Sequence, residues 1–471
     1  MRNKLIYKYI GKVLIGYSFL IFLPFIIGLF FNERAYSFLF MSLITFIIGL
    51  LLTKLKTENM RLYARDGFRI VTVSWILISV LGAFPIMIDT NVSYIDALFE
   101  AVSGFTTTGA TIFKEVEKLP KSILFWRDFM HFIGGMGVLA FVMAIIPLAK
   151  NDKSMHLLKA EMPGPTVSKL VPSIKRTLYY LYGIYFGLTI TEFVLLLFSG
   201  VPLFDALLLA MGTAGTGGFS PLHTSLATYS EAAKWIVAVY MFLFGVNFNI
   251  YFFALIRDFK SAFRSEELKV YIGLYLFTVF LLIINSLNLF GNVYDSIVNG
   301  FFNASSFMSS TGYSISDVNI YPTICRIWIL FIMVVSACAG STCGGFKISR
   351  LILIFKMIKR DIQKMVHPNS VKVITFDGKK VEEEVLESTK SFMFLYIILI
   401  LLILFIIGLD GFSFEASLNA VFTTFGNVGL YFEVSDFALF SPLSKLVMCL
   451  GMLLGRLEIY PIIALLINRR K

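Results

Sequence analysis

The chain has 471 residues, of which 57% are hydrophobic, 16% aromatic and only 15% charged. Its mean hydropathy is +0.80. Soluble domains carry about 25% charged residues, so the composition indicates a polytopic membrane protein and argues against a separate soluble domain of any size. The net charge of +11 does not point to nucleic acid, because the lysines and arginines fall between apolar runs, which is a topology pattern. Four cysteines (Cys325, Cys338, Cys343, Cys449) and four histidines (His131, His156, His223, His367) form no CxxC pair and have no catalytic or metal-ligand spacing. A disulfide framework, a zinc site and an enzyme are therefore disfavoured.

The first apolar run, 13–31, follows Lys4, Lys8 and Lys12. It is too long for a signal peptide and lacks a small-residue cleavage site, so it reads as a retained helix. A second run covers 36–55, and the two form an N-terminal pair (residues 1–64). Four units then each offer two apolar runs with a shorter segment between them. Unit one (65–155) has helices at 68–88 and 129–148. Unit two (156–262) has them at 178–198 and 233–254. Unit three (263–366) has them at 270–290 and 328–357. Unit four (391–471), after a linker at 367–390, has them at 392–409 and 446–467. Most runs approach the roughly 20 residues that cross the hydrocarbon core. The expectation is an all-α polytopic membrane protein with ten transmembrane helices. Four parallel helix–pore-loop–helix repeats would surround a pseudo-fourfold pore, with an extra N-terminal pair. That topology leaves eight of the 41 Lys and Arg residues on the loop side; Arg456 falls within a span. The richer side is then cytoplasmic, with both termini on it.

A glycine-bearing loop follows each short segment. Thr107-Thr108-Gly109 lies in FTTTGAT, Gly215-Thr216-Gly217 in TAGTGGFSP, Ser310-Thr311-Gly312 in SSTGYS and Asn427-Val428-Gly429 in FGNVGLYF. Each reads any residue, then Thr or Val, then Gly. Each preceding segment has an acidic or amide residue near its start: Asp96, Asp205, Asn299 and Glu415. A permeating cation exchanges hydration water for rings of backbone carbonyls. Turning carbonyls inward takes an irregular backbone, which glycine adopts at no steric cost. Such backbone is tolerated at membrane depth only where it is buried or lines a cavity. One Thr-x-Gly triplet is commonplace at helix ends; four in matching places suggest the walls of a pore.

Unit three carries Ala337-Cys338-Ala339-Gly340-Ser341-Thr342-Cys343-Gly344-Gly345 inside its second run. Small residues and glycines there suggest a broken, mobile segment below the loops, a gate candidate that includes Gly340, Gly344 and Gly345. A small-residue packing face is the alternative. Arg456, in MLLGRLEIYP, is an ionisable residue within a span and so suggests function; it would bond either to carbonyls of the broken segment or to nearby Glu458. In the linker, VKVITFDGKKVEEEVL alternates around Asp377-Gly378, a hairpin signal. A lone hairpin is marginal in water, so it should dock on its own membrane domain or on a regulatory partner.

Together the four loops, GGMGVLAFVMAIIP (134–147), AGSTCGGFKISR (339–350) and GRLEIYP (455–461) resemble the Trk/Ktr/HKT superfamily of cation transporters, over essentially the whole chain. The extra N-terminal pair is most similar to its TrkH branch. The resemblance implies K⁺ uptake at a bacterial inner membrane. It implies a homodimer in membrane lipid, with one pore per subunit, gated by a cytosolic ring of TrkA-type nucleotide-binding subunits. K⁺ would be the transported ion, with no organic cofactor in this chain and no nucleic-acid partner. One filter glycine per loop carries onto Gly109, Gly217, Gly312 and Gly429, and the gate carries onto 337–345 and Arg456. Members that favour Na⁺ often have serine at the first glycine, so Gly109 implies K⁺. Gly215 and Asn427 stand at first filter positions where the other loops have hydroxyls. That inequality keeps open a less selective K⁺/Na⁺ channel or a cation symporter. A transporter of small organic substrates would be expected to have inverted repeats, against the parallel ones expected here.

Overall fold

A computed structural model describes residues 2–56, 64–149, 174–369, 372–431 and 436–466. The expected boundary near 155–156, His156, and the ends of the last span and of the chain lie outside these residues. Within them the protein is helical apart from loops and one small hairpin. The helices are α1 (Arg2–Phe30), α2 (Tyr36–Thr53), α3 (Ala64–Thr90), α4 (Tyr94–Phe105), α5 (Lys121–Ala149), α6 (Ile174–Phe198), α7 (Leu203–Gly215), α8 (Glu231–Phe244), α9 (Phe248–Leu255), α10 (Phe259–Arg264), α11 (Glu266–Ser286) and α12 (Val293–Met308). They continue with α13 (Thr323–Val335), α14 (Ile348–Val366), α15 (Glu383–Ile407), α16 (Phe414–Phe425), α17 (Pro442–Leu457) and α18 (Ile459–Leu466). Among the described residues, six helices are long and apolar enough to cross a membrane; a seventh results if α8 and α9 count as one bent span. The chain is thus an integral membrane protein.

α1 and α2 pack on each other, and α1 also lies on α3 and α5. Glu33, between the first two helices, fixes this pair by accepting from the backbone N–H groups of Lys121 (2.6 Å) and Ser122 (2.9 Å). It thereby satisfies donors at the start of α5 that have no intrahelical partner. The remaining contacts form a cycle. α4, α7, α12 and α16 are short, and each packs on the long helix before it and on a helix closing the preceding unit: α7 on α5, α12 on α8, α16 on α13, and α4 on α17. The last of these closes the circle.

Three of the expected helices are broken. The expected helix at 233–254 is two, bent by 92° at Gly245–Asn247. Asn247 starts the new direction, its side chain accepting from the N–H of Asn249. The run 328–357 is interrupted between Val335 and Ile348. The last run is interrupted at Glu458, which has φ +63°. The two interior breaks interlock: Cys338 N–H donates to Gly245 O at 3.2 Å and Phe248 N–H to Gly340 O at 3.1 Å. Each supplies backbone partners that the other lost when its helix stopped, as buried polar backbone requires.

The hairpin pairs Thr375 with Lys380 and Phe376 with Lys379 around the expected Asp377-Gly378 turn. It docks on its own chain. Glu266 N–H donates to Asp377 Oδ1 at 2.7 Å, Lys356 Nζ donates to Thr375 O at 2.7 Å, and Ile374 and Phe376 are buried in the core beneath.

Candidate cation pathway

The site begins with how the four short helices end. In all four the last turn closes in a Schellman motif. The N–H groups of Thr107, Thr216, Ser310 and Asn427 reach back three residues, to Gly104 O, Thr213 O, Phe307 O and Thr424 O. Those of Thr108, Gly217, Thr311 and Val428 reach back five, at 2.8, 2.9, 3.0 and 2.9 Å. The motif demands a left-handed residue, and here it is Thr107 (φ +54°), Thr216 (+56°), Ser310 (+51°) and Asn427 (+55°). Two residues later a glycine is left-handed in every loop: Gly109 (+79°), Gly218 (+74°), Gly312 (+83°) and Gly429 (+80°).

This alignment corrects the expected register of the second loop. Its triplet is Thr216-Gly217-Gly218, not Gly215-Thr216-Gly217. Gly215 is the last residue of α7, Gly217 takes the middle place of Thr108, Thr311 and Val428, and Gly218 is the equivalent of Gly109. The first position therefore carries a hydroxyl in three loops, with Asn427 the exception. The expected acidic residue of unit three is corrected likewise: Asp295, not Asn299, lies in the first turn of α12, matching Asp96, Asp205 and Glu415.

The four loops touch in a closed ring. A β-carbon on Gly109 would fall within 3.0 Å of Gly217 O, one on Gly218 of Thr311 O, one on Gly312 of Val428 O, and one on Gly429 of Thr108 O. Each middle carbonyl lies against the glycine of a neighbouring loop, in the order one, two, three, four and back to one. An added methyl fits at none of these positions, and each has a φ that side chains disfavour. The C-terminal ends of four helices converge on this ring, and their dipoles present partial negative charge to it. The acidic residues in their first turns complement the opposite ends.

The segment 336–347 lies directly against the ring. Thr216 Oγ1 donates to Thr342 O at 3.0 Å, and Gly344 N–H donates to Ser310 Oγ at 3.2 Å. A β-carbon on Gly344 would collide with Asn427. The ends of the segment are tied back by Phe346 N–H to Val334 O and Lys347 N–H to Val335 O, each 3.0 Å. Buried Glu267 accepts from Ala339 N–H at 2.7 Å and Ser349 N–H at 3.1 Å. Gly340 and Gly345 have φ of +73° and +81°, whereas Gly344 keeps an ordinary backbone.

Arg456 is buried, and its guanidinium donates to Thr342 O of this segment and to Gly134 O of α5, the latter at 3.1 Å. Glu458 is not its partner: it pairs with Arg350, whose guanidinium lies 4.0 Å over the Phe392 ring. Behind the first loop a second buried pair, Glu100 with Arg127 at 2.7 Å, braces the chain beyond Gly109. Glu100 also accepts from Thr111 Oγ1 and Ile112 N–H. Neither residue stands out in the sequence, where Glu100 is one acid in a short segment and Arg127 one base before a span. His131, scattered by spacing, donates from Nδ1 to Gly104 O at 2.8 Å and accepts at Nε2 from Phe219 N–H at 3.3 Å.

These features define a membrane protein with a ring of backbone carbonyls at which four helix C-termini converge, with an irregular segment packed against one side of it. The family model for TrkH, described as a cation transport protein, matches residues 36–469. Among relatives, the Trk system potassium uptake protein TrkG of Escherichia coli K12 is 35% identical, over 95% of this chain and 94% of its own. The Trk system potassium uptake protein TrkH of Salmonella typhimurium is 33% identical, over 99% and 98%. The crystal structure of the potassium transporter TrkH from Vibrio parahaemolyticus superimposes with a TM-score of 0.87 at 26% identity, covering 99% of both chains. The chain belongs to the TrkH family of cation transport proteins. Its relatives are transporters, not enzymes.

Proposed function

We propose that this protein is the membrane subunit of a potassium-uptake system of the bacterial inner membrane. K⁺ would pass through the ring of Thr107-Thr108-Gly109, Thr216-Gly217-Gly218, Ser310-Thr311-Gly312 and Asn427-Val428-Gly429. The observation that carries the reading is the closed circuit of middle carbonyls against neighbouring glycines. A carbonyl ring replaces hydration water around a cation, and four helix C-termini favour positive charge there. Thr107 Oγ1 and Asn427 Oδ1 are buried without a protein partner among the described residues, which leaves them to water or an ion. The relatives' names, potassium uptake proteins of a Trk system, support the same cargo.

In this reading the segment 337–345 is the gate and Arg456 its latch. The guanidinium repels an entering cation while holding Thr342 O in the closed position. A cytosolic TrkA-type ring would release it, and two copies of the chain would assemble, each with its own pore. Ten spans in four parallel repeats after an N-terminal pair fit the cyclic packing of the short helices. Asn427, an amide where the other loops have hydroxyls, favours a second reading with weaker discrimination against Na⁺. Radioactive Rb⁺ uptake into liposomes holding the purified protein tests both. Saturable uptake competed by K⁺ far better than by Na⁺ supports the first, equal competition supports the second, and no uptake defeats both.

A further inference from the structure

The second loop differs from the other three in its middle residue. Thr108, Thr311 and Val428 have side chains that tie their loops to the scaffold. Thr108 shares a 2.8 Å hydrogen bond with Thr106 and accepts from Asn427 at 2.9 Å, Thr311 shares 2.6 Å with Ser309, and Val428 is buried in an apolar cluster. Gly217 has no side chain to do this, and the next residue is also glycine. Two consecutive glycines leave the peptide between them the freest in the ring. Yet the Gly217 carbonyl is one of the four that close it.

His131 occupies the vacant place. A β-carbon on Gly217 would lie within 3.0 Å of three atoms of the His131 ring, and one on Gly215 would meet the His131 backbone. The ring is fully buried, stacked on Phe219 at 4.2 Å between centroids. Its partners fix its tautomer. A carbonyl has no proton, so Nδ1 carries one and donates it to Gly104 O; a backbone N–H has one to give, so Nε2 is bare and accepts from Phe219. Those partners lie at the end of the first short helix and immediately after Gly218. One ring thus spans the first and second loops. Phe219 is held in addition by Arg127, four residues before His131 on the same face of α5, whose guanidinium lies 4.0 Å from the ring centroid.

We propose that His131 is a specificity-determining positioning residue. Its imidazole stands in for the side chain missing at Gly217 and holds the Gly217 carbonyl at cation-ligating distance. This rests on the carbonyl ring being the selectivity filter. His131 touches no ion itself; it acts through the loop.

The test is Rb⁺ uptake, with Na⁺ in competition, by the full chain in liposomes, for the parent, His131→Ala, Gly217→Thr and the double variant. His131→Ala is expected to lower Rb⁺ over Na⁺ discrimination about tenfold, the scale of two lost buried hydrogen bonds, while Na⁺ still passes. Gly217→Thr alone collides with the imidazole and loses function. The double variant supplies the anchoring side chain where the ring was, and should discriminate better than either single change. Melting temperatures separate this from a general packing loss, which would lower stability without changing the ion ratio. A folded His131→Ala with the parent's ratio overturns the inference. If neither single variant folds, the double decides alone: a folded, selective double supports it, and any other double overturns it. A parent without selectivity overturns this inference and the proposed function together; a selective parent with no rescue overturns this one only.

Discussion

Among the described residues Arg456 has two backbone carbonyls, Thr342 O and Gly134 O, as partners and no carboxylate. Its sequence neighbour Glu458 is held by Arg350. Arg456→Gln removes the charge at similar length, so Rb⁺ flux should rise in the purified protein without its partner. Adding Glu458→Gln should not reverse the gain, because that carboxylate belongs to another pair; reversal by the double would sink the latch. The ion pair behind the first loop behaves differently. Glu100→Leu strands Arg127 in a buried site, a loss of about 3–5 kcal/mol, and the detergent-solubilised variant should melt well below the parent. At Gly109 both φ and space oppose a side chain. Gly109→Ser should therefore weaken K⁺ over Na⁺ discrimination in reconstituted flux, and an unchanged ratio would put the filter elsewhere. Of these residues, Arg456 and Gly109 were legible, one as a lone charge in an apolar run, the other as a recurring glycine. The register at 216–218 was not. In TAGTGGFSP both candidate triplets end in glycine, and the chain uses the one that lets its helix close with Thr216 left-handed. Glu100, Arg127 and His131 were silent because their partners are far in sequence or are backbone atoms.

Among the elements, the first short helix has sharp ends: Ser93 caps its start by accepting from Asp96 N–H, and threonines follow its end. The interruption of unit three was half-legible: its small residues and glycines fit a break or a close packing face, and the structure has the break, between Val335 and Ile348. The 92° bend at Gly245–Asn247 was hidden, because FGVNFNIYFF stays mostly apolar and one glycine with two amides does not announce a break. What stabilises it comes from Gly340 and Cys338, far along the chain. The two breaks therefore form one structure, and shortening 337–345 removes the bonds to both the ring and the bend. Such a variant, with the ends still tied through Val334 and Val335, should conduct Rb⁺ faster than the parent. One that inserts and melts normally but conducts less would show that the segment is a packing face.

At the scale of the whole molecule, charge and geometry make separate statements about sidedness. The charge pattern predicts that the loops following the ring lie outside and the hairpin inside. Geometry puts the hairpin at the start of α11, where Glu266 holds the hairpin and Glu267 holds the segment below the ring. The hairpin is thus on the side of the ring where the segment 336–347 lies, away from the extension beyond Gly109. The four native cysteines are all buried, so a membrane-impermeant maleimide should find little background. Lys118, 73% exposed at its side chain beyond the first loop, and Lys379, exposed on the hairpin, are suitable single sites. Lys118→Cys should be labelled in intact cells whose outer membrane has been made permeable. Lys379→Cys should be labelled only in inverted vesicles. Labelling of both from one face would break the ten-span topology, since an even number of crossings would then separate two loops that parallel repeats place on opposite sides. The reverse pattern would keep the topology and overturn the positive-inside orientation, putting the side of the ring that faces the segment 336–347 outside the cell.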